Sequence, residues 1–239
     1  MPALAAGLLA PLALSYLAGS FPSALVIGRL LHGLDLRERG SGNVGATNAL
    51  RTLGPLPAAL TLLADAAKAI AAVALAPLAG AFACSAIGSP EPLSRAWLAA
   101  LCAAAAILGH VLPIFAGFRG GKGVAVAAAA LGYLFPAVLP WCLLAFGLGL
   151  SLTGYASVAS MAAALCLPLA AFLSGLTPPW RMPSPLGVLV VVAPLFIILL
   201  HRDNIGRLAA GTERRFPRAM VWKRLIRALH KRRGGSSIS

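Results

Sequence analysis

Long stretches without a charge run through this chain, and they decide what it can fold into. An α-helix needs about 20 apolar residues to cross the hydrocarbon core of a bilayer. Five runs have about that length or slightly less: residues 3–27, 56–81, 96–115, 155–173 and 186–200. The stretch 124–152 is too long for one span and short for two. Pro136 and Pro140 lie near its middle, where a tight turn belongs. Charged residues make up 11% of the chain, against about 25% in soluble domains. The expectation is an all-α, polytopic membrane helix bundle.

Three polar loops interrupt the runs, at residues 28–55, 110–123 and 201–218. If they share a side, an even number of spans separates the second from the third. Splitting 124–152 satisfies that parity and gives about seven transmembrane helices. Charge supports the common side: Arg29, Arg37, Arg39 and Arg51 fall in the first loop, Arg119 and Lys122 in the second, and eleven Lys or Arg after Leu200. The opposite loops carry Arg95 and Arg181. Basic loops stay cytoplasmic. The N-terminus is therefore expected outside, on an uncleaved first span, with the C-terminus and all three loops in the cytoplasm. This segregation also assigns the basic excess to membrane orientation, with no nucleic-acid partner. Residues 1–218 read as one membrane domain. Residues 219–239 read as a basic cytoplasmic tail with the spacing of an interfacial amphipathic helix.

The first loop contains GSGNVGATNALR at 40–51. Gly42 and Gly45 let the backbone turn and approach a ligand, and successive N–H groups there can form an anion nest. Ser41, Asn43, Thr47 and Asn48 add neutral hydrogen-bonding groups, and Arg51 a planar fork suited to phosphate. The plainer alternative is a turn with helix-capping Ser, Asn and Thr. In the second loop Gly120, Gly121 and Gly123 surround Lys122, like a phosphate cradle with a point charge. It is not a Walker loop: Ala116 stands where Gly is needed, and Gly123 where Ser or Thr is. His110 reads as a helix-end cap or packing residue. In the third loop His201, Asn204 and Arg207 share one side of a short helix, a candidate catalytic pair with a cation beside it. Glu213, among Arg207, Arg214 and Arg215, reads as a structural ion pair. Asp65 and Lys68 stand one turn apart inside the second span, as a buried pair joining helices or a ligand contact.

Together the loops describe a site for small phosphorylated anions at the lipid interface. Acidic residues are too sparse to hold Mg²⁺ through paired carboxylates. The four cysteines stand far apart and suggest neither a disulfide framework nor a metal site. A membrane transporter for phosphorylated metabolites would also need basic, glycine-rich loops. It should show repeats or broken helices near the midplane, whereas these motifs cluster on one face.

In order and spacing the three loops resemble the motifs of the bacterial acyl-phosphate:glycerol-3-phosphate acyltransferases, integral membrane enzymes that begin phospholipid synthesis. The first motif is matched by Ser41-Gly42-Asn43, Gly45-Ala46-Thr47-Asn48 and Arg51. The second is matched by Gly109-His110, Pro113, Phe115 and Gly120 to Val124, and the third by His201, Asn204, Arg207-Leu208, Gly211 and Glu213. A further stretch, TGYASVAS, brings in Ser157 and Ser160 as substrate-binding candidates, with Gly154 where the family usually has a basic residue. The position after Ala125, often Thr in the family, is Val126, and Ala69 follows Lys68 where Gly is usual.

The resemblance implies acyl transfer from acyl phosphate to the 1-hydroxyl of glycerol 3-phosphate, without a cofactor, at the cytoplasmic face of the bacterial inner membrane. The products are lysophosphatidate and phosphate. It implies His201, Asn204, Ser41, Arg51 and Lys122 as catalytic, with the remaining loop residues binding substrate. Membrane lipids surround the site. Soluble-type glycerolipid acyltransferases use a His-x-x-x-x-Asp dyad, and no His here has Asp five positions on. An acyl phosphate is already activated, so positioning and charge stabilisation remain to be supplied. Asn204 is expected to orient substrate or donate to the oxyanion.

Overall fold

The computed structural model describes residues 5–88, 93–175 and 184–220, and every regular element among them is helical. The expected tail helix lies outside them from residue 221 onward. The first apolar run is two helices, α1 (Ala10–Ser20) and α2 (Ser23–His32). They part at Phe21 and Pro22, because proline cannot donate the N–H that would continue the ladder. The short α3 (Ala46–Thr52) leads into α4 (Pro55–Ala86), the longest helix at 32 residues. There follow α5 (Arg95–Val111), α6 (Val124–Leu134), α7 (Leu139–Thr153), α8 (Ala156–Leu173), α9 (Pro185–Leu200) and α10 (Arg202–Ala209).

Among the described residues, five segments are long and apolar enough to cross a bilayer: Ala6–His32, Pro55–Ala86, Arg95–Ala116, Pro136–Thr153 and Ala156–Leu173. A sixth candidate is α9 taken with α10, bent by 55° where they join at His201. The split expected in 124–152 is there: α6 ends at Leu134, Pro136–Val138 forms a 3₁₀ turn, and α7 begins at Leu139. Its first half has only 11 residues. That is about 16 Å of helix, roughly half the hydrocarbon thickness.

Helix α4 is the central element, packing on α1, α2, α3, α5 and α6. The main core forms where α4, α5, α6, α8 and α9 meet, around Val73, Ala103, Ile107, Val126 and Ile197. Helices α7 and α8 form a tight antiparallel hairpin that reaches the rest through α9. Between α6, α7, α8 and α9 lies an apolar cavity of about 60 Å³, room for about two waters.

Lipid supplies no hydrophobic drive between spans, so close packing depends on small residues. Gly19 of α1 lies against the Ala106 backbone of α5, and Gly109 of α5 against the Tyr16 carbonyl of α1. A β-carbon at either place would overlap main-chain atoms. Gly147 of α7, by contrast, faces open space. Gly19→Ala should therefore lower stability in detergent by about 1–3 kcal/mol through overpacking. Gly147→Ala should leave it unchanged or raise it by up to about 1 kcal/mol, since Ala suits a helix better. Thermal unfolding of both variants checks the pair; equal shifts would refute the close-packed crossing.

Candidate active site

The three polar loops meet at one end of the bundle, joined by a fourth segment, the Gly154–Tyr155 turn between α7 and α8. Arg37 Nη1 of the first loop donates to the Ala116 carbonyl of the second at 3.3 Å. Arg51 Nη2 donates to the Arg214 carbonyl of the third at 3.0 Å, and its guanidinium stacks 4.3 Å over the Phe216 ring. The Phe216 N–H reaches the Gly154 carbonyl at 2.7 Å, and Arg215 lies over the Tyr155 ring.

The first loop is built around Asn48, which is 1% exposed. Its Oδ1 accepts from the Ser41 N–H, and its Nδ2 donates toward the carbonyls of Leu36, Arg39 and Asn43. Asn48 therefore shapes the loop. Gly42 has the left-handed backbone expected of it, with φ +71°. Gly45 does not: it is extended and caps α3. The unanticipated turn residue is Gly40, where a β-carbon would overlap Asn48 Oδ1. Upstream, Asp35 bridges Arg29 and Arg37 at 2.8 and 2.6 Å. The Arg37 hydrogen bonds hold its carboxyl far below the usual range. Ser41 and Thr47 stand exposed, while Asn43 and Ala46 are half-buried beside them.

Gly120 and Gly121 do not line an open cradle. Both press on the end of α5, where a β-carbon would overlap the His110 carbonyl or ring. The Gly121 N–H donates to the His110 carbonyl at 3.1 Å. These glycines bring the loop down, and Gly123, at φ +72°, turns it into α6. Lys122 is left half-buried at the start of α6, whose N-terminal dipole adds to its positive charge. Burial first, and then Arg207, push the ammonium down to about 8.

The third loop is organised by Glu213. Its Oε1 accepts from Ser157 Oγ at 2.8 Å and Asn204 Nδ2 at 2.7 Å, and its Oε2 from Arg207 Nε at 2.7 Å. Burial favours the neutral acid, but these donors outweigh it and keep the carboxyl below its ordinary value. The arrangement fixes the Asn204 amide. Its nitrogen faces the carboxylate, and its buried Oδ1 has no partner. The atom left over is thus an acceptor, which suits orienting a substrate hydroxyl, one of the two roles expected of Asn204. His201 is 3% exposed and gives its Nδ1–H to the Ile197 carbonyl at 2.8 Å. Nε2 is then also an acceptor. Lys122 lies within electrostatic reach of His201, Arg207, Arg51 and Glu213.

Ser157, a residue brought in by resemblance, belongs to this cluster through Glu213. Ser160 does not: it donates to the Ala156 carbonyl of its own helix and faces the small apolar cavity. Asp65 and Lys68 form a 2.9 Å ion pair inside the bundle, away from the loop surface. Sequence reasoning missed Tyr155 and Phe216, whose rings carry the two arginines. The one available signal was an aromatic beside a basic cluster. Beside Arg51, Arg214 and Arg215 opens a groove of about 900 Å³ with an apolar wall that includes Leu50, Phe146 and Leu150.

Comparison with known proteins gives a consistent answer. Residues 9–211 match the family model described as glycerol-3-phosphate acyltransferase. A glycerol-3-phosphate acyltransferase of Synechococcus sp. (strain JA-3-3Ab) is 42% identical over 218 residues, 90% of this chain and 96% of that protein. The fold is similar to crystal structures of PlsY (YgiH), an integral membrane glycerol 3-phosphate acyltransferase. Its glycerol 3-phosphate form has a TM-score of 0.71 and 34% identity, over 90% of this chain and 98% of that one. Its lysophosphatidic acid form has 0.68 and 32%, over 87% and 94%. Matched over most of its length by the family model, by this relative and by both crystal structures, this multi-pass membrane protein belongs to the glycerol-3-phosphate acyltransferase family.

Proposed function

We propose that this enzyme transfers a fatty acyl group from acyl phosphate to the 1-hydroxyl of glycerol 3-phosphate, giving lysophosphatidate and inorganic phosphate. Lys122 carries the reading. A half-buried ammonium, with Arg207 and Arg51 in reach, stands within electrostatic reach of His201, whose Nε2 is left as an acceptor, and of Glu213, which holds Asn204 with its buried Oδ1 unpartnered among the described residues. Cations suit a phosphate, and the acceptors suit the hydroxyls of a short polyol attached to it. The groove beside Arg51, cationic at its mouth and apolar along its wall, suits a phosphate that bears a chain.

The residues then divide as follows. Lys122 and Arg207 hold the glycerol phosphate. Arg51, with the exposed Ser41 and Thr47 and the backbone of Gly42, Asn43, Gly45 and Ala46, holds the acyl phosphate. His201 and Asn204 orient the hydroxyl. Its oxygen attacks the acyl carbonyl carbon. The tetrahedral species collapses with cleavage of the bond to the phosphate oxygen, and the hydroxyl proton leaves with the phosphate. Ser157 and Glu213 act through Asn204 and Arg207. No cofactor is required, because the donor is already activated.

We also place seven passes in the bilayer, with α6 and α7 as separate ones, the N-terminus outside and the site on the cytoplasmic face of the bacterial inner membrane. Parity supports this, since two helices separate the first loop from the second and four separate the second from the third. The basic loops supply the orientation.

Purified protein given palmitoyl phosphate and labelled glycerol 3-phosphate should form lysophosphatidate, while acyl-CoA and acyl carrier protein donors should not support it. Comparable turnover with either alternative would refute the donor assignment. The Lys122 ammonium is charged below about pH 8 and neutral above. KM for glycerol 3-phosphate should therefore climb up to about tenfold per pH unit above that point. Lys122→Arg should flatten the climb, because guanidinium stays protonated; a wild-type profile flat to about pH 9.5 would exclude the assignment. Single cysteines at Ser41 and Gly211 should react with membrane-impermeant maleimide only from the cytoplasmic side, and one at Ser94 only from the other. Labelling of Ser41 and Ser94 from the same side would overturn the topology.

A further inference from the structure

Beneath the second loop lies a cluster of charges that the proposed chemistry does not touch. The Lys68 ammonium meets three partners, two in hydrogen-bonding geometry (Phe21 and His110) and Asp65 as an ion pair whose Oδ1 has no hydrogen bond among the described residues. The distances are 2.7 Å to the Phe21 carbonyl, 2.9 Å to Asp65 Oδ1 and 3.1 Å to His110 Nδ1. Asp65 and His110 are 2% and 7% exposed. The Phe21 carbonyl has no i+4 helical partner because the first span breaks at Pro22; it accepts the Ser23 N–H at 3.0 Å and keeps a lone pair for Lys68. Asp65 stands 3.6 Å from His110 Nδ1, beyond hydrogen-bond range. An ammonium can only donate, so Nδ1 accepts and the ring proton sits on Nε2.

The far edge of that ring supports the loop. Nε2 and the Val44 carbonyl of the first loop both lie against the side of Gly121 where a β-carbon would stand. The Gly121 N–H is tied to the His110 carbonyl. The next residue is Lys122. A chain of contacts therefore runs from the broken first span, through Lys68 and His110, to the cation assigned to phosphate.

We propose that Lys68, Asp65 and His110 are positioning residues. They fix the orientation of the His110 ring, and so set the height at which the Gly120–Gly121 segment presents Lys122 to the phosphate of glycerol 3-phosphate. None of the three touches substrate, and the inference rests on the reading of Lys122 as a phosphate ligand. A side chain held in place from behind changes substrate affinity more than turnover when its support is lost. An error of about 1 Å in such a group is enough to cost up to about a hundredfold.

Lys68→Met, which keeps the stem and removes the donors, should raise KM for glycerol 3-phosphate about tenfold and change kcat by less than about threefold. Lys68→Gln should recover part of the loss, because its amide can still donate to His110. In a double-mutant cycle, adding Lys68→Met to Lys122→Ala should cost nothing further, since the cation being positioned is gone. If Lys68→Met does not fold, Asp65→Leu/Lys68→Met removes both charges without stranding either and carries the same expectation. Unchanged KM in a folded Lys68→Met, or full additivity with Lys122→Ala, overturns the positioning role while leaving the phosphate reading intact. Unchanged KM in Lys122→Ala overturns the phosphate reading itself, and the positioning role with it.

Discussion

Hydrocarbon offers a peptide group no partner, and that constraint arranges everything else in this protein. Each interruption of a span must be answered by another part of the chain. At Phe21 and Pro22 the exposed carbonyl is answered by Lys68. At the bend between α9 and α10, His201 gives its Nδ1–H back to the last turn of α9. The three polar loops and the Gly154–Tyr155 turn are gathered at one end of the bundle, where these four segments satisfy one another. A polar surface able to hold charged reactants forms where the spans run out.

Two devices hold that surface together. One is Glu213, a buried carboxylate with donors from α8 and α10. Removing a donor would leave buried charge exposed to desolvation, so the cluster is constrained as a unit. The other is the pair Gly120 and Gly121, whose missing β-carbons let the second loop sit directly on His110. The acceptors on Asn204 and His201 are left over because their other polar atoms are committed to Glu213 and Ile197.

Much of this was legible in the chain itself. The apolar runs gave the helices, Pro136 and Pro140 the break after α6, and the spacing of His201, Asn204 and Arg207 a shared helical side. Which atom each polar residue turns toward the site was not legible. Asn48 and Ser41 stand in one motif, yet the first is sealed in the loop and the second is open. Spacing cannot separate them, because the difference arises from a left-handed Gly40 against which Asn48 packs. Glycines beside a lysine suggested backbone approach to a ligand. Here the approach is to another helix end, a contact distant in sequence. Ser160 is three residues from Ser157, and on a helix that offset is enough to exchange a carboxylate for an apolar cavity.

The shortness of α6 bears on how water and oil meet in this molecule. As the separate pass proposed above, a helix of about 16 Å falls short of a hydrocarbon layer of about 30 Å, and such a pass requires the bilayer around it to thin or the headgroups to sink toward it. Its starting end carries Lys122. The mismatch thus forms a dimple in the membrane at the place where the two reactants differ most in solubility. A water-soluble phosphate descends into it, while a chain still embedded in the leaflet comes level with it. The bilayer, by deforming around one undersized helix, becomes part of the substrate-delivery geometry, and membrane thickness becomes a variable of the reaction.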